Sequence, residues 1–98
     1  MVYFVIDTYI DSKRGRGEYD EYIRLVKPIV ESYGGVYLVQ SEKIHTLSEK
    51  RKPQRVIIIQ FCDMEHLNRC FSSDEYKEIM SKRTESVDAR ALIVDNGD

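Results

Sequence analysis

The sequence predicts an α+β fold in which a four-stranded antiparallel sheet carries two helical regions on one face. Three observations lead to this fold. Four segments have the apolar pattern of strands, two segments have apolar residues at three- and four-residue steps, and they follow one another as strand, helix, strand, strand, helix, strand. Two right-handed crossovers in this order give the ferredoxin-like βαββαβ sandwich. A chain of 98 residues is expected to form one domain, 1–98.

The first half of the chain predicts one strand, a polar loop and one helix. The strand runs from Val2 to Ile10, and the loop of residues 11–17 contains two glycines. Pro28 lies inside the helical pattern and predicts a kink, because proline removes one backbone donor. Gly34 supplies the left-handed residue that ends the helix. The helical stripe consists of Tyr19, Tyr22, Ile23, Val26, Ile29, Val30 and Tyr33.

The second half predicts two strands, a divided helical region and a last strand. Strands at 36–40 and 55–62 are joined by a long connection, 41–53, in which Ile44 and Leu47 extend outward. Asp63 is the expected N-cap of the next helix. Ser72 and Glu75 form a predicted capping box, so the helical region is expected to be two pieces, with Arg83 near the end of the second. The last strand is predicted at 89–95.

Two strands are apolar on both sides, which predicts a partner for the second face of the sheet. Helices cover only one face, and the other face should then be polar in a monomer. A four-stranded face has a projected area of roughly 400 Å², comparable with the largest apolar patches of soluble monomers. A homodimer with facing sheets is therefore predicted, and a fold-over of the 41–53 connection is the alternative. The residues that alternate are Val2, Phe4 and Ile6 against Tyr3, Val5 and Tyr9, and Val56 and Ile58 against Ile57, Ile59 and Phe61.

Composition limits the cellular compartment and the classes of partner that are expected for this chain. A formal net charge of -2 argues against a nucleic-acid binder. The N-terminal residues do not have the pattern of a signal peptide, and no apolar run is long enough to cross a membrane. Two free cysteines, both expected to be mostly buried, fit a reducing cytoplasm. Cys62 and Cys70 match no zinc template, so neither a metal nor any other cofactor is predicted.

Several short segments occur in a fixed order along nearly the whole chain. They are Tyr19-Asp20-Glu21-Tyr22, Pro28, Tyr33-Gly34-Gly35, Pro53-Gln54-Arg55, Phe61, Met64-Glu65, Ser73-Asp74-Glu75-Tyr76, Arg83 and Ile93-Val94-Asp95. Together they resemble the family known as domain of unknown function 1330, within the dimeric α+β-barrel superfamily. The resemblance implies a ferredoxin-like protomer paired into a barrel. It implies no established activity, although related branches include cofactor-free monooxygenases, haem-degrading enzymes and isomerases.

Five residues are candidates for binding a small molecule. Tyr3, Tyr37 and Tyr76 could place phenols around a cleft between helices and sheet, although each could equally pack in the core. Arg83 could grip a carboxylate or phosphate, or instead stabilise a helix end or pair with Glu78 or Asp74. His45 could act as a general base, although a lone histidine in a connection is more often a surface residue.

For two further residues, the expected role depends on whether the side chain is buried. Asp7, if buried in the first strand, would need a partner such as Arg90 or Lys82. His66 is expected to lie on the exposed surface of the helix that follows Asp63.

The sequence is compatible with three functions. The first is a homodimer that binds a small organic molecule in each protomer. The second is a cofactor-free monooxygenase or isomerase that uses tyrosine, His45 and Arg83. The third is an interaction module without a pocket. No catalytic motif such as a nucleophile elbow or a phosphate loop is present to decide among them.

Overall fold

A computed structural model describes residues 1–97 and confirms the predicted order of strands and helices, with boundaries that differ by one or two residues. All strand pairs are antiparallel, and their order across the sheet is β2-β3-β1-β4, which is the ferredoxin-like topology. The strands are β1 (Val2–Tyr9), β2 (Val36–Ser41), β3 (Arg55–Phe61) and β4 (Asp88–Asp95), and the helices are α1 (Tyr19–Ser32), α2 (Met64–Phe71), α3 (Asp74–Ile79) and α4 (Ser81–Thr84).

The hydrophobic core lies between the helices and one face of the sheet. Phe61 of β3 is fully buried and meets the ring of Phe71 of α2 at a centroid distance of 6.1 Å. Phe4 of β1 meets the same ring at 4.5 Å. On the α1 side, Val30 is fully buried, and Tyr19 reaches Thr8 of β1. These contacts place α1 and α2 on the same face of the sheet.

Side-chain caps divide the second helical region as predicted, with one correction. Asp63 caps α2, because its carboxylate accepts from the backbone N–H of His66 at 2.9 Å. The N-cap of α3 is Ser73, not Ser72, and its hydroxyl accepts from the N–H of Tyr76 at 3.2 Å. The hydroxyl of Ser72 instead donates to the carbonyl of Asn68 at the end of α2, whereas the hydroxyl of Ser73 donates to the carbonyl of Cys70 and also accepts the cap bond.

Two consecutive glycines connect α1 to β2 for different reasons. Gly34 has a φ of +87°, the left-handed conformation predicted for the residue that ends the helix. Gly35 has no such φ, but an added Cβ would overlap the side chain of Val30 and press on Phe61. The helix continues through Pro28 to Ser32, and the kink at that position stays a prediction.

The second face of the sheet, called the open face below, is apolar at its centre. Strand register places Val39, Ile58, Val5 and Leu92 in one row across all four strands. In the protomer Leu92 is 55% exposed and Val39 is 39% exposed. The two-sided pattern predicted for β1 and β3 is thus present in the folded chain, and its outer half lies at the surface.

The β2–β3 connection leaves most of the open face uncovered. The alternative to a dimer was that the 41–53 connection folds over this face. Leu47 of that connection is completely exposed, so it does not cover the face. Ile44 is half-buried and, with Val56 at one end of the open face, lines a small pocket of about 270 Å³. Within residues 1–97, the exposure of Leu92 and Val94 shows that the β4 side of this face has no cover from the same chain.

A buried carboxylate on the open face is paired with the β2–β3 connection. Asp7 is buried in β1, and Arg51 donates to both of its oxygens, at 2.6 and 3.0 Å. The two partners named from the sequence are engaged elsewhere, since Arg90 pairs with Asp88 and Lys82 with Glu18. The expectation for Asp7 is therefore corrected: its partner comes from the connection, 44 residues away.

Replacing Arg51 by alanine is expected to destabilise the fold more than removal of an exposed ion pair does, because the carboxylate of Asp7 would remain buried without this partner. Urea unfolding at pH 7 measures this change. Arg90→Ala is the matched control, because it breaks an exposed pair with Asp88 and should change stability less than Arg51→Ala. Equal losses in the two variants would contradict a structural role for the Asp7–Arg51 pair.

Candidate functional site

Tyr22, Tyr76 and Arg83 meet beside the helical layer and form what is called the tyrosine–arginine cluster below. The hydroxyls of Tyr22 and Tyr76 lie 3.0 Å apart, and Arg83 Nη2 donates to the hydroxyl of Tyr76 at 3.2 Å. The guanidinium of Arg83 also lies 5.8 Å from the centre of the Tyr22 ring, within cation–π range. Both phenols are buried, whereas Arg83 is half-buried.

Helix geometry explains how the cluster forms. Tyr76 and Arg83 are seven residues apart, which is close to two helical turns, so their side chains lie on one side of the α3–α4 segment. Met80 joins the two short helices with a helical φ of -56°. Tyr22 comes from α1, where helical spacing places it on the buried stripe with Val26.

The two phenols of the cluster can donate more hydrogen bonds than they make to each other. Burial raises the pKa of Tyr22 well above its usual range, and the neighbouring Tyr76 adds to this rise. The two hydroxyls carry two protons, and one of these is used in the bond between them. Arg83 contributes only donors to the network, so one phenolic proton remains for another acceptor.

Arg83 differs from the other partly buried arginines in having no acidic partner. Arg16 and Arg55 both bind Glu42, and Arg16 also binds Asp20. Along the chain from 1 to 97, no carboxylate lies within 4 Å of the Arg83 guanidinium, and its polar partner is the neutral hydroxyl of Tyr76. A guanidinium in this state retains its capacity to bind an anion.

A separate cleft of about 780 Å³ is lined by residues that follow Arg83 in the chain, but not by any member of the tyrosine–arginine cluster. It lies between the end of β1 with the following loop and the segment that joins α4 to β4. Ser86 of that segment accepts from the backbone N–H of Glu18 at 2.9 Å, which ties the two walls together. The volume is in the range of small-molecule sites. The lining residues are Tyr9, Ile10, Asp11, Arg14, Gln54 and 84–88.

An ion-pair network fixes the loop before α1. Arg16 binds Asp20 at 2.6 Å and Glu42 at 2.9 Å, and Glu42 also accepts from Arg55 at 3.2 Å. Hydrogen bonds from Arg16 hold the pKa of Glu42 below its usual value. The network joins the β1–α1 loop to the start of the β2–β3 connection. The loop of residues 11–17 is therefore anchored at Arg16.

The five residues predicted from the sequence occupy three places. Tyr76 and Arg83 meet in the tyrosine–arginine cluster. Tyr37 lies on the helix side of β2 under Lys27, and burial raises its pKa. Tyr3 lies on the open face opposite Gln60. His45 belongs to the β2–β3 connection and lines the 270 Å³ pocket.

Tyr22 was not predicted from the sequence to be a member of the site. Its position in the apolar stripe of the first helix indicates a core residue, and the ring is indeed in the core. Only the contact of its hydroxyl with Tyr76, 54 residues away, gives it a second role. Arg83 was recognised as an anion-binding candidate, but its predicted acidic partners, Glu78 and Asp74, are not in contact with it.

Comparisons with known proteins agree with this fold. The model of a domain of unknown function, DUF1330, matches residues 2–97. No curated protein matches the sequence. Among the described residues, no helix has the length and apolar character required to cross a membrane.

Solved structures share the fold at low sequence identity. A protein of unknown function from Rhodopseudomonas palustris has a TM-score of 0.76 and 16% identity, over 95% of this chain and 79% of that one. A dimeric ferredoxin-like protein of unknown function from Jannaschia sp. has a TM-score of 0.70 and 12% identity, over 96% and 97%. A candidate antibiotic biosynthesis monooxygenase from Deinococcus radiodurans has a TM-score of 0.66 and 12% identity, over 100% and 94%.

Proposed function

The chain belongs to the DUF1330 family, and from this premise we propose that it is a cytoplasmic homodimer that binds a small organic anion in each protomer. The anion is held by Arg83 of the tyrosine–arginine cluster. The single observation that carries the proposal is a half-buried guanidinium whose polar partner is a phenol rather than a carboxylate. Free thiols at Cys62 and Cys70 support the reducing compartment.

The open face supports the dimer. Its central row, Val39, Ile58, Val5 and Leu92, is apolar across all four strands and exposed at both edges. Apolar faces of this size are commonly protein interfaces. The dimeric relative from Jannaschia sp. has the same fold over 96% of this chain.

The surroundings of Arg83 support an anion that also accepts a hydrogen bond. The guanidinium offers several donors, and the phenols of Tyr22 and Tyr76 leave one proton unused. A carboxylate, a keto acid or a phenolate could use both kinds of donor.

A cofactor-free monooxygenase is the second candidate. The observation in its favour is the tyrosine pair, whose protonated phenols could donate to an oxyanion beside a cationic side chain. The relative from Deinococcus radiodurans adds an argument by fold. His45 lines a different pocket, so this candidate relies on Tyr22, Tyr76 and Arg83 alone.

Native mass spectrometry of protein purified from its host is the first test. The expected result is a mass of two chains, together with additional mass from a retained small molecule in each protomer. A bare monomer at micromolar concentration would contradict the proposal. A dimer that retains no ligand, and that binds none of the probes below, would favour the interaction module instead.

Arg83→Ala is expected to weaken the binding of anionic probes at least tenfold, because it removes a charge-assisted contact of about 1.5–3 kcal/mol. The anionic probes are 2-keto acids, and isothermal titration calorimetry measures the affinity. Aromatic quinols, which are neutral at pH 7, are included as substrates for the second candidate. Arg83→Lys should retain part of the affinity, since it keeps the charge but loses the forked geometry. Oxygen uptake with the quinols tests the second candidate in the same samples.

His45→Ala is the control for this experiment. It removes a polar side chain from the 270 Å³ pocket and should leave probe affinity unchanged. The site is rejected if the affinity of the Arg83→Ala protein equals that of the unmodified protein while the fold is intact by circular dichroism. A loss in the His45 variant instead would assign binding to the pocket beside β3.

A further inference from the structure

Three metal-ligating side chains converge where β3 joins α2, and they are called the junction triad below. Cys62 Sγ lies 3.1 Å from His66 Nδ1, and Asp63 Oδ1 lies 2.7 Å from the same nitrogen. One ligand atom from each of the three residues lies within 4.8 Å of the others. Cys62 and Asp63 are exposed and His66 is half-buried, so an ion could enter from solvent.

Local structure builds this triad from residues that lie close in the sequence. Cys62 follows the last residue of β3, and Asp63 is the N-cap of α2. The cap bond from the His66 N–H to Asp63 Oδ1 fixes the first turn of the helix, which places the imidazole next to the capping carboxylate. The carboxylate has a second oxygen, so it can keep the cap and still offer a ligand.

The triad does not have the geometry of a catalytic relay. In a relay, the histidine uses one nitrogen for the nucleophile and the other for the carboxylate. Here the thiol and the carboxylate both approach Nδ1, and a single Nδ1–H can at best be shared between them. A cation at their common centre would satisfy all three groups at once.

We propose that the junction triad is a Zn²⁺ site, with Cys62 Sγ, His66 Nδ1 and an oxygen of Asp63 as ligands and water in the fourth position. Thiolate, imidazole and carboxylate are the ligand types that zinc takes in proteins, in tetrahedral geometry. With zinc bond lengths of about 2.0–2.3 Å, ligand atoms are separated by about 3.4–3.6 Å, so the two contacts need to open by roughly half an ångström.

The positions of the three side chains agree with this assignment. Asp63 Oδ1 and Cys62 Sγ both face His66 Nδ1, so each can offer a ligand atom to an ion bound beside that nitrogen. Binding of the ion releases the proton of the Cys62 thiol and any proton held on His66 Nδ1. The other cysteine is unsuited to this role, because burial raises the pKa of the Cys70 thiol to about 11.

The site was not predicted from the sequence, which was expected to hold no metal ligands. Cysteine pairs carry the usual zinc patterns, and Cys62 and Cys70 do not fit them. Cys62 was also expected to be mostly buried, whereas it is exposed because β3 ends one residue earlier, at Phe61. The triad uses one cysteine with residues one and four positions later, a spacing that gains meaning only from the strand end and the helix cap.

Titration of the reduced, chelator-treated protein with Co²⁺ is the test, because a thiolate bound to Co²⁺ gives a charge-transfer band in the near ultraviolet. The expected result is one Co²⁺ per chain, with the band lost on addition of Zn²⁺. Cys62→Ser and His66→Gln should each abolish the band or weaken Co²⁺ binding at least tenfold. Asp63→Asn keeps a capping oxygen and should weaken binding without unfolding α2.

Two matched variants control for the remaining ligands of the chain. Cys70→Ala removes the buried thiol and His45→Gln the other histidine, and both should bind Co²⁺ like the unmodified protein. The proposal is overturned if Co²⁺ gives no charge-transfer band, if His66→Gln binds as tightly as the unmodified protein, or if either control variant loses the band. Circular dichroism on each variant verifies that the fold is retained.

Discussion

Replacing Leu92 by lysine is expected to raise the dissociation constant of the proposed dimer by roughly a thousandfold. Leu92 lies in the central row of the open face and is 55% exposed in the protomer, so a lysine there has room in the monomer. In a two-fold dimer the ammonium groups would be buried in the interface. A cost of about 2 kcal/mol for each copy gives roughly 4 kcal/mol per dimer.

Sedimentation equilibrium over a range of concentrations measures this effect. Ile93→Lys is the matched control, because Ile93 is the next residue of the same strand, is 44% exposed and points to the other side of the sheet. We expect the control to remain dimeric. If the Leu92→Lys protein is as dimeric as the unmodified protein, the dimer does not form through the open face.

Phe61→Ala is expected to lower the free energy of unfolding by about 3–5 kcal/mol. Phe61 is fully buried at the end of β3, where it packs edge-on against Phe71 and lies close to Gly35. Removing the ring leaves a cavity that the sheet and α2 cannot easily fill. In a domain of this size, the loss is a large fraction of the total stability.

Urea unfolding at one fixed protein concentration measures this loss, since the apparent stability of a dimer depends on concentration. Leu47→Ala is the control, because Leu47 is completely exposed and should change stability by less than about 0.5 kcal/mol. A loss below about 1 kcal/mol for Phe61→Ala would contradict its place in the core.

Local patterns were sufficient to predict the order of elements and most of their ends. Asp63 as a cap and Gly34 as a left-handed residue were identified correctly, because each acts on backbone groups within a few residues. The capping box at Ser72 was wrong by one residue. Both Ser72 and Ser73 are of a residue type that caps helices, and only the path of the backbone after α2 places the hydroxyl of Ser73 at the N–H of Tyr76.

Long-range partners were not predictable in the same way. Asp7 pairs with Arg51 across 44 residues, although Arg90 is its direct neighbour on the adjacent strand. Several arginines could reach that carboxylate, and differences of about 1 kcal/mol in side-chain entropy and packing decide among them. The position of the β2–β3 connection, which has no regular structure, settles the choice in the fold.

The sequence by itself determined a ferredoxin-like protomer with one face of the sheet left apolar, because strand alternation and helix periodicity directly follow backbone geometry. Only the tertiary structure decided which side chains meet. It joined Tyr22 of α1 to Tyr76 and Arg83 of the α3–α4 segment, and it turned Cys62, Asp63 and His66 toward a common centre. Contacts of this kind depend on the distances between secondary-structure elements, which local sequence patterns do not encode.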